Sequence, residues 1–421
     1  MASLTQQDRN YLTNVVGISG VELFWGLGIP MVVESTFLQL FLKNLGASSF
    51  AIGMIPAFFF MGSSIFAVIS SYYTSRLVSK RRAVIGLHLT SAISFLFFGI
   101  VFYIFGKISS IVLIFFISYA VFAICIGMTM PVWMAYLVHL FSDKRSVAGL
   151  AIMMICQNAA KLVSSIFLVR IVTAYSFSHQ SSAIVFIFVG LAFAAGSLFF
   201  LFTREQPARP DDGTGPHTRF FDYFSQNISR ILHNRNFRCF LVANLETPIV
   251  VAVISFYANY ATTYCGIDPA IAAGVFVGCI YIGSICTNIL LGPMGYLSLK
   301  NKYVFSKTAA VCAVLLLIFF TSSISFFIAS FLLGISRGAR MIVLAPAVKR
   351  LAGGHDATSY FAIIPILELP FSMGLPLVYG KFLDHFSTLQ AQAYQWIFSA
   401  SLGLLVITLI FVFKTDFEAS A

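Results

Sequence analysis

Long apolar runs fill most of this chain, and short polar segments separate them. Each run has about 20 or more residues, the length that a helix needs to cross a lipid bilayer. The first set lies near 14–42, 48–72, 84–105, 109–140, 147–175 and 182–203, and the second near 237–263, 269–295, 303–321, 324–350, 357–382 and 390–413. The pattern predicts an all-α integral membrane protein with twelve transmembrane helices.

The polar connections alternate between rich and poor in basic residues. Of 26 Lys and Arg, nineteen fall on one side: Arg9, Arg76, Lys80, Arg81, Arg82, Lys144, Arg145, Arg204, Arg209, Arg219, Arg230, Arg235, Arg238, Lys300, Lys302, Lys307, Lys349, Arg350 and Lys414. Only Lys43, Lys107 and Lys381 fall on the other side, and four lie inside the runs. Because basic loops stay in the cytoplasm, we expect cytoplasmic N- and C-termini in a plasma (cytoplasmic or inner) membrane.

Composition supports lipid as the main solvent. The chain is 59% hydrophobic and 10% charged, with 46 Phe, whereas a soluble domain needs far more charge. The net charge of +11 is explained by basic loops that face an anionic leaflet, so membrane lipids, and no nucleic acid, are the expected partners. The N-terminus has no cleavable leader pattern, so we expect the first run to be retained. We expect a monomer.

One segment interrupts the apolar pattern. Residues 203–236 are rich in Pro, Gly, Asp and Arg, which is typical of a linker. Its second part, Phe220–Leu232, alternates apolar with polar residues and predicts a short interfacial helix on the cytoplasmic surface. We therefore divide the chain into an N-terminal six-helix bundle (1–203), a cytoplasmic linker (204–236) and a C-terminal six-helix bundle (237–421).

The two halves share sequence features at equivalent places. Leu27–Val33 in span one and Leu245–Val251 in span seven both place a Pro before an aliphatic pair. Gln157 follows Ala151 by six residues in span five, and Glu368 follows Ala362 by the same distance in span eleven. With six spans in each half, these matches indicate duplicated bundles.

Together, the twelve spans, the basic middle loop and the duplicated halves resemble the major facilitator superfamily over the whole chain. The loop Ser71–Arg81 keeps the basic residues of that family's motif but has Ser71, Ser75 and Val78 in place of its Gly, Asp and second Gly. The loop after span eight, Gly292–Tyr296, keeps a Gly and also lacks the acid. The resemblance implies two bundles related by pseudo-two-fold symmetry, with solute bound between them and spans one, four, seven and ten lining the cavity.

Eight charged residues fall inside the apolar runs: Glu22, Glu34, Lys161, Arg170, Glu246, Arg337, Arg340 and Glu368. Inserting each charge into the bilayer costs about 2.5–3.5 kcal/mol, and such charges persist mainly where they pair or face water. Counting about 1.5 Å per residue brings Glu246, Glu368, Arg337 and Arg340 to the midplane, where we expect one network. Lys161 and Glu34 are expected to pair nearer the outer face.

Two carboxylates at one depth in low dielectric cannot both ionise cheaply. A movement that separates an Arg from its Glu would load a proton, so we interpret Glu246, Glu368 and Glu34 as candidates for proton coupling, with Glu246 first because its span lines the cavity. The alternative is a static lock of the C-terminal bundle, a common role for buried ions.

The expected solute cavity draws on one face of span one and on polar or aromatic residues of the other spans. Span one contributes a face with i, i+3 and i+4 spacing, and interfacial anchoring or packing is the alternative for its Trp25 and for Trp133. The candidate lining residues are Glu22, Trp25, Thr36, Gln39, Trp133, Gln157, Lys161, Asn244, Tyr257, Arg337 and Arg340.

Motifs for ATP-driven transport, metal binding and hydrolysis are missing from the sequence. We therefore expect neither an enzyme nor a cofactor or metal. The hypothesis is a secondary active transporter of a small polar, charged or zwitterionic organic solute, coupled to protons and working by alternating access. The alternatives are an uncoupled facilitator or an amphiphile or drug exporter and, in another class, a transport-inactive membrane sensor or scaffold.

Overall fold

The computed structural model describes a helical membrane protein. It describes residues 9–33, 36–74, 77, 79–141, 143–175, 177–205, 225, 228–229, 231–291, 297–351 and 357–417. Within these ranges the chain forms helices and no strand, and twelve helices are long and apolar enough to cross a membrane. The predicted all-α fold with twelve spans is confirmed.

The first half contains spans one to six. Span one is Tyr11–Val32 and is followed by a short helix, Thr36–Asn44. Span two consists of two helices, Ser49–Met61 and Ala67–Thr74. The others are Arg81–Phe105 (span three), Ile111–Leu140 (span four), Asp143–Tyr175 (span five) and His179–Leu198 (span six). Glu205, which follows span six, caps the start of span three: its carboxylate accepts from Lys80 N at 2.8 Å and Arg81 N at 3.0 Å. A carboxylate at a helix N-terminus satisfies backbone donors that lack a partner inside the helix.

The second half contains spans seven to twelve. Its helices run Arg235–Asn244 and Glu246–Tyr264 (span seven), Phe276–Leu291 (span eight), Leu299–Phe319 (span nine), Ser323–Leu351 (span ten), Ala357–His385 (span eleven) and Ala391–Lys414 (span twelve). Span seven breaks at Leu245 because Pro248 has no N–H to donate and its ring crowds the carbonyl of Asn244. The break sets Asn244 and Glu246 on either side of a helix junction.

Spans two and eight each contain a short stretch of wider helix. It covers Gly62–Phe66 in span two and Ile271–Val275 in span eight. Such π-helical turns are rare in proteins overall, and those that occur are often found at functional sites. Their occurrence in equivalent spans agrees with the duplication that the sequence indicates.

The described residues group into two compact units. The first holds those of 1–33, 58–164 and 177–220, and the second those of 34–57, 165–176 and 221–421. The second unit therefore includes short segments of spans one, two and five together with the second half of the sequence.

Polar contacts fix segment 34–57 within the second unit. The amide of Gln39 donates to Ile254 O at 3.0 Å and accepts from Asn259 N at 3.4 Å. Asp384, near the end of span eleven, accepts from Ser49 N at 2.7 Å and Phe50 N at 2.8 Å and so caps the start of span two. We call these two sets of contacts the Gln39–Asp384 clasp.

Much of the linker, residues 206–224, 226–227 and 230, lies outside the described residues. The predicted interfacial helix at Phe220–Leu232 falls mostly on these positions. Residues 231–233 are helical, and Asn234 caps the next helix by accepting from Phe237 N at 3.0 Å.

Spans eight and ten approach closely at glycines, which gives a test of the packing. A Cβ at Gly334 would overlap the carbonyl of Ile280, whereas a Cβ at Gly403 in span twelve would meet nothing within 4 Å. Overpacking of this kind costs about 1–3 kcal/mol. We expect Gly334→Ala to lower the midpoint of thermal unfolding in detergent and Gly403→Ala to leave it unchanged or raise it. Equal midpoints for the two variants would contradict the close approach.

Candidate functional site

A buried ion pair joins span seven to span nine. The ammonium of Lys307 lies 2.7 Å from Glu246 Oε2, and the two side chains are 0% and 2% exposed. Lys307 also donates to Ala243 O at 2.6 Å, one of the carbonyls at the end of the first helix of span seven. The broken helix thus supplies both the carboxylate and a carbonyl that hold the ammonium.

Hydroxyl groups satisfy the other carboxylate oxygen. Glu246 Oε1 accepts from Ser306 Oγ at 2.8 Å and from Ser336 Oγ. Ser306 precedes Lys307 on span nine, and Ser336 comes from span ten. Glu246 is therefore ligated on both oxygens, as a buried carboxylate must be if its desolvation is to be offset.

Glu368 lies in the same unit with a different kind of partner. Its carboxylate accepts from Asn244 Nδ2 at 2.7 Å, so a neutral amide on span seven faces a carboxyl on span eleven. Arg340 and Lys307 act on Glu368 electrostatically, and Arg340 also donates to Thr247 Oγ1. Both ends of the Asn244–Glu368 hydrogen bond are buried.

The structure brings three of the four predicted midplane residues into one network: Glu246, Glu368 and Arg340. Arg337 lies one turn from Arg340 and acts on it electrostatically. Lys307, counted above among the basic residues of one membrane side, is fully buried within span nine. The signal available in the sequence was its depth, eight residues into span nine or about 12 Å at 1.5 Å per residue.

A second polar cluster lies in the first unit. Glu22 on span one accepts a hydrogen bond from Gln157 Nε2 on span five, and Lys161, one turn further along span five, acts on Glu22 electrostatically. A Cβ at Gly26 would press against the Gln157 carbonyl at 2.6 Å. The absence of a side chain at Gly26 lets the two helices approach closely enough for this contact.

The predicted aromatic residues of the cavity pack inside the first unit. The Trp25 ring stacks on Phe193 with centroids 4.1 Å apart and meets the edge of His88 at 4.6 Å. Trp133 lies 6.0 Å from His88 and 5.5 Å from Phe200. Trp25 and Trp133 are buried, so the structure places both in a packed aromatic core.

Three further predicted cavity residues lie in the second unit. Gln39 belongs to the Gln39–Asp384 clasp. Thr36 is fully buried, and its hydroxyl has no hydrogen-bond partner among the described residues. The hydroxyl of Tyr257 lies 3.3 Å from Ser330 Oγ. Glu34 is outside the described residues, so its predicted pairing with Lys161 stays a prediction.

Comparison with known proteins gives a family and a fold. The sequence profile described as Major Facilitator Superfamily matches residues 23–364, and a search of curated protein sequences finds no significant match. The nucleoside transporter NupG superimposes with a TM-score of 0.76 at 11% identity, over 96% of this chain and 99% of that one.

Two other solved transporters also superimpose. A POT family transporter in complex with 5-aminolevulinic acid has a TM-score of 0.67 at 14% identity, covering 97% of each chain. A bacterial homologue of the human lysosomal transporter Spinster, in an inward-facing and unoccupied conformation, has a TM-score of 0.64 at 14% identity, covering 98% of each chain. At these identities the likeness establishes the fold.

The Lys307–Glu246 ion pair predicts a specific pattern of stability. Lys307→Met leaves the Glu246 carboxylate buried without its cation, which costs about 3–5 kcal/mol. We expect a clear fall in the midpoint of thermal unfolding, largely reversed when Glu246→Gln is added. Lys381→Met, at an exposed lysine of span eleven, is the control and should leave the midpoint unchanged. A double variant as unstable as Lys307→Met would show that the charge of Glu246 is not the cause.

Proposed function

The chain belongs to the major facilitator superfamily, and from this premise we propose that it is a secondary active transporter, coupled to protons, of a small polar, charged or zwitterionic organic solute. The observation that carries the proposal is the set of buried carboxylates and cations in spans seven, nine, ten and eleven. Ionisable groups inside a membrane are costly and are typical of substrate and proton pathways. A helical scaffold alone does not require them.

The substrate class follows from the same groups and agrees with the relatives. Both acidic and basic side chains occur at membrane depth, which favours a solute that carries charge or strong dipoles over a hydrocarbon. The superimposed structures are described as a nucleoside transporter and as a complex with 5-aminolevulinic acid. Both descriptions name small polar organic molecules and support the same class for this chain.

The candidate proton carriers differ in their surroundings. Glu246 Oε2 is bound by the Lys307 ammonium, which only donates hydrogen bonds, so protonation at this oxygen requires Lys307 to move away. Glu368 is bound by the Asn244 amide, which also accepts. We therefore propose Glu368 as the first carrier to test and keep Glu246 as a carrier that needs a helix movement. Glu34 stays a third candidate.

Topology and domain organisation belong to the same proposal. The charge asymmetry of the loops supports cytoplasmic termini in the plasma membrane, with bundles at 1–203 and 237–421 joined by the cytoplasmic linker 204–236. On this topology the Gln39–Asp384 clasp lies towards the outer face. Alternating access then requires the clasp to open once in each transport cycle.

Loosening the clasp should expose the outer part of span seven. The reporter is Ala258→Cys in a background without the seven native cysteines, labelled from outside by a membrane-impermeant maleimide. We expect Asp384→Asn combined with Gln39→Leu to raise the labelling rate several-fold. Ser387→Cys, in the turn after span eleven, should be labelled equally with and without the clasp substitutions. If the rate at Ala258→Cys is unchanged, the clasp does not hold the outer face closed.

Transport itself can be tested in liposomes. We expect purified protein under an imposed pH gradient to take up at least one member of a library of polar organic solutes with a matching signal from an internal pH dye. Glu368→Gln should abolish accumulation driven by the gradient and keep downhill exchange, because the carrier is fixed in its neutral form. Asp268→Asn, at an exposed carboxylate, should behave as the wild type.

Other outcomes identify the alternative functions. Uptake that ignores the gradient in both the wild type and Glu368→Gln would indicate an uncoupled facilitator, or an exporter of amphiphiles or drugs if only such compounds move. Solute binding without counterflow would indicate a transport-inactive sensor or scaffold and would overturn the proposal.

A further inference from the structure

Each half of the chain joins its first and fifth spans by a carboxylate and an amide, with the two residue types exchanged. In the first half the acid, Glu22, is on span one and the amide, Gln157, is on span five. In the second half the amide, Asn244, is on span seven and the acid, Glu368, is on span eleven. We call them the Glu22–Gln157 pair and the Asn244–Glu368 pair.

The repeat in the sequence aligns the fifth-span members of the two pairs and brings their first-span members within one helical turn. Gln157 and Glu368 share one register, each six residues after its Ala-Ile. Aligning Pro30 with Pro248 sets Asn244 at the position of Gly26, one helical turn from Glu22. Each half therefore carries a carboxylate–amide hydrogen bond between its first and fifth spans, with the first-span residues offset by one helical turn.

An amide suits a partner that changes its protonation state. Its NH₂ donates to a carboxylate, and its carbonyl oxygen accepts from a carboxylic acid after a half-turn of the amide group. The pair keeps a hydrogen bond in both states. The Lys307 ammonium offers donors only, so a proton on Glu246 Oε2 would find no acceptor in Lys307.

The second observation is an unused acceptor. Asn244 Oδ1 is buried and has no hydrogen-bond partner among the described residues, a costly state for a buried polar atom. After a half-turn of the amide, Oδ1 accepts from a protonated Glu368, and the NH₂ group takes the side that Oδ1 left. The Asn244–Glu368 pair is thus built for two states.

Cations stand close to both acids. Lys161 on span five faces Glu22. His88 on span three packs against the ring of Trp25, which lies about one helical turn from Glu22 on span one. Arg340 on span ten and Lys307 on span nine face Glu368, together with the phenol of Tyr303 on span nine. The ionised state of each acid therefore has a counter-charge, and its neutral state has the amide.

We propose that Glu22, held by Gln157, is a second proton-loading carboxylate of the transport cycle, matched to Glu368 held by Asn244, so that two protons accompany each solute. The inference rests on the proton coupling proposed above. Loading moves a proton from water on one side to a carboxylate oxygen, and unloading returns it to water on the other side. No other bond forms or breaks.

A hydrophobic carbodiimide tests the proposal on the wild-type protein, because the reagent adds to protonated carboxyl groups buried in a membrane. Reconstituted protein is treated with dicyclohexylcarbodiimide over a range of pH, and adducts are located by peptide mass spectrometry. We expect adducts on Glu22 and Glu368 in acidic buffer, lost as the pH rises, and none on Glu246, which Lys307 keeps ionised. Absence of an adduct on Glu22 in acidic buffer, with Glu368 labelled, would overturn the inference alone.

Exchanging the first pair supplies a matched variant. The second half already carries the amide on its first span and the acid on its fifth, so Glu22→Gln with Gln157→Glu should fold and move the adduct from position 22 to position 157. In the liposome assay, Glu22→Gln alone should halve the protons moved per solute, and the exchange should restore them. A ratio unchanged in Glu22→Gln overturns the second site, whereas a wild type that moves no protons overturns the proposed function as well.

Discussion

The ion pair between Lys307 and Glu246 holds together the part of the molecule on which the rest of the site depends. It joins spans seven and nine, and the hydroxyl of Ser336 brings in span ten. Burial removes both charges from water, and this cost is offset because Lys307 also donates to the Ala243 carbonyl and Glu246 also accepts from Ser306 and Ser336. The break in span seven is part of this solution. Pro248 interrupts the helix near Asn244, the Ala243 carbonyl at the end of the first helix accepts from the ammonium, and Asn244 and Glu246 lie on either side of the junction.

The spans were predictable because few backbone structures are stable in lipid. A backbone in the hydrocarbon layer must satisfy its own polar groups, so each apolar run of sufficient length becomes a helix, as the twelve observed spans do. Lys307 shows where this reasoning fails. A basic residue near the end of an apolar run looks like a loop residue, since the sequence does not show that Glu246 on span seven pairs with Lys307. Nor does it show that Ser306 on span nine and Ser336 on span ten bond Glu246.

The pairings within the site were less predictable than its members. Depth along the spans selected Glu246, Glu368 and Arg340, which interact electrostatically in the structure, and Asn244, Glu22 and Gln157 were among the candidate lining residues. Depth along a helix says nothing of the direction in which a side chain points, which depends on how neighbouring helices are rotated and packed. For the same reason Trp25 fits the cavity face of an isolated helix, yet its ring stacks on Phe193, and Gln39 reaches the backbone of span seven.

The Gln39–Asp384 clasp also has a consequence for synthesis. The chain leaves the ribosome from its N-terminus, so segments 34–57 and 165–176 enter the membrane long before the residues with which they form one compact unit. The partners of Gln39 lie at 254–259, and Asp384 follows more than three hundred residues after Ser49. The contacts of segment 34–57 can therefore be completed only after span eleven has been synthesised and inserted.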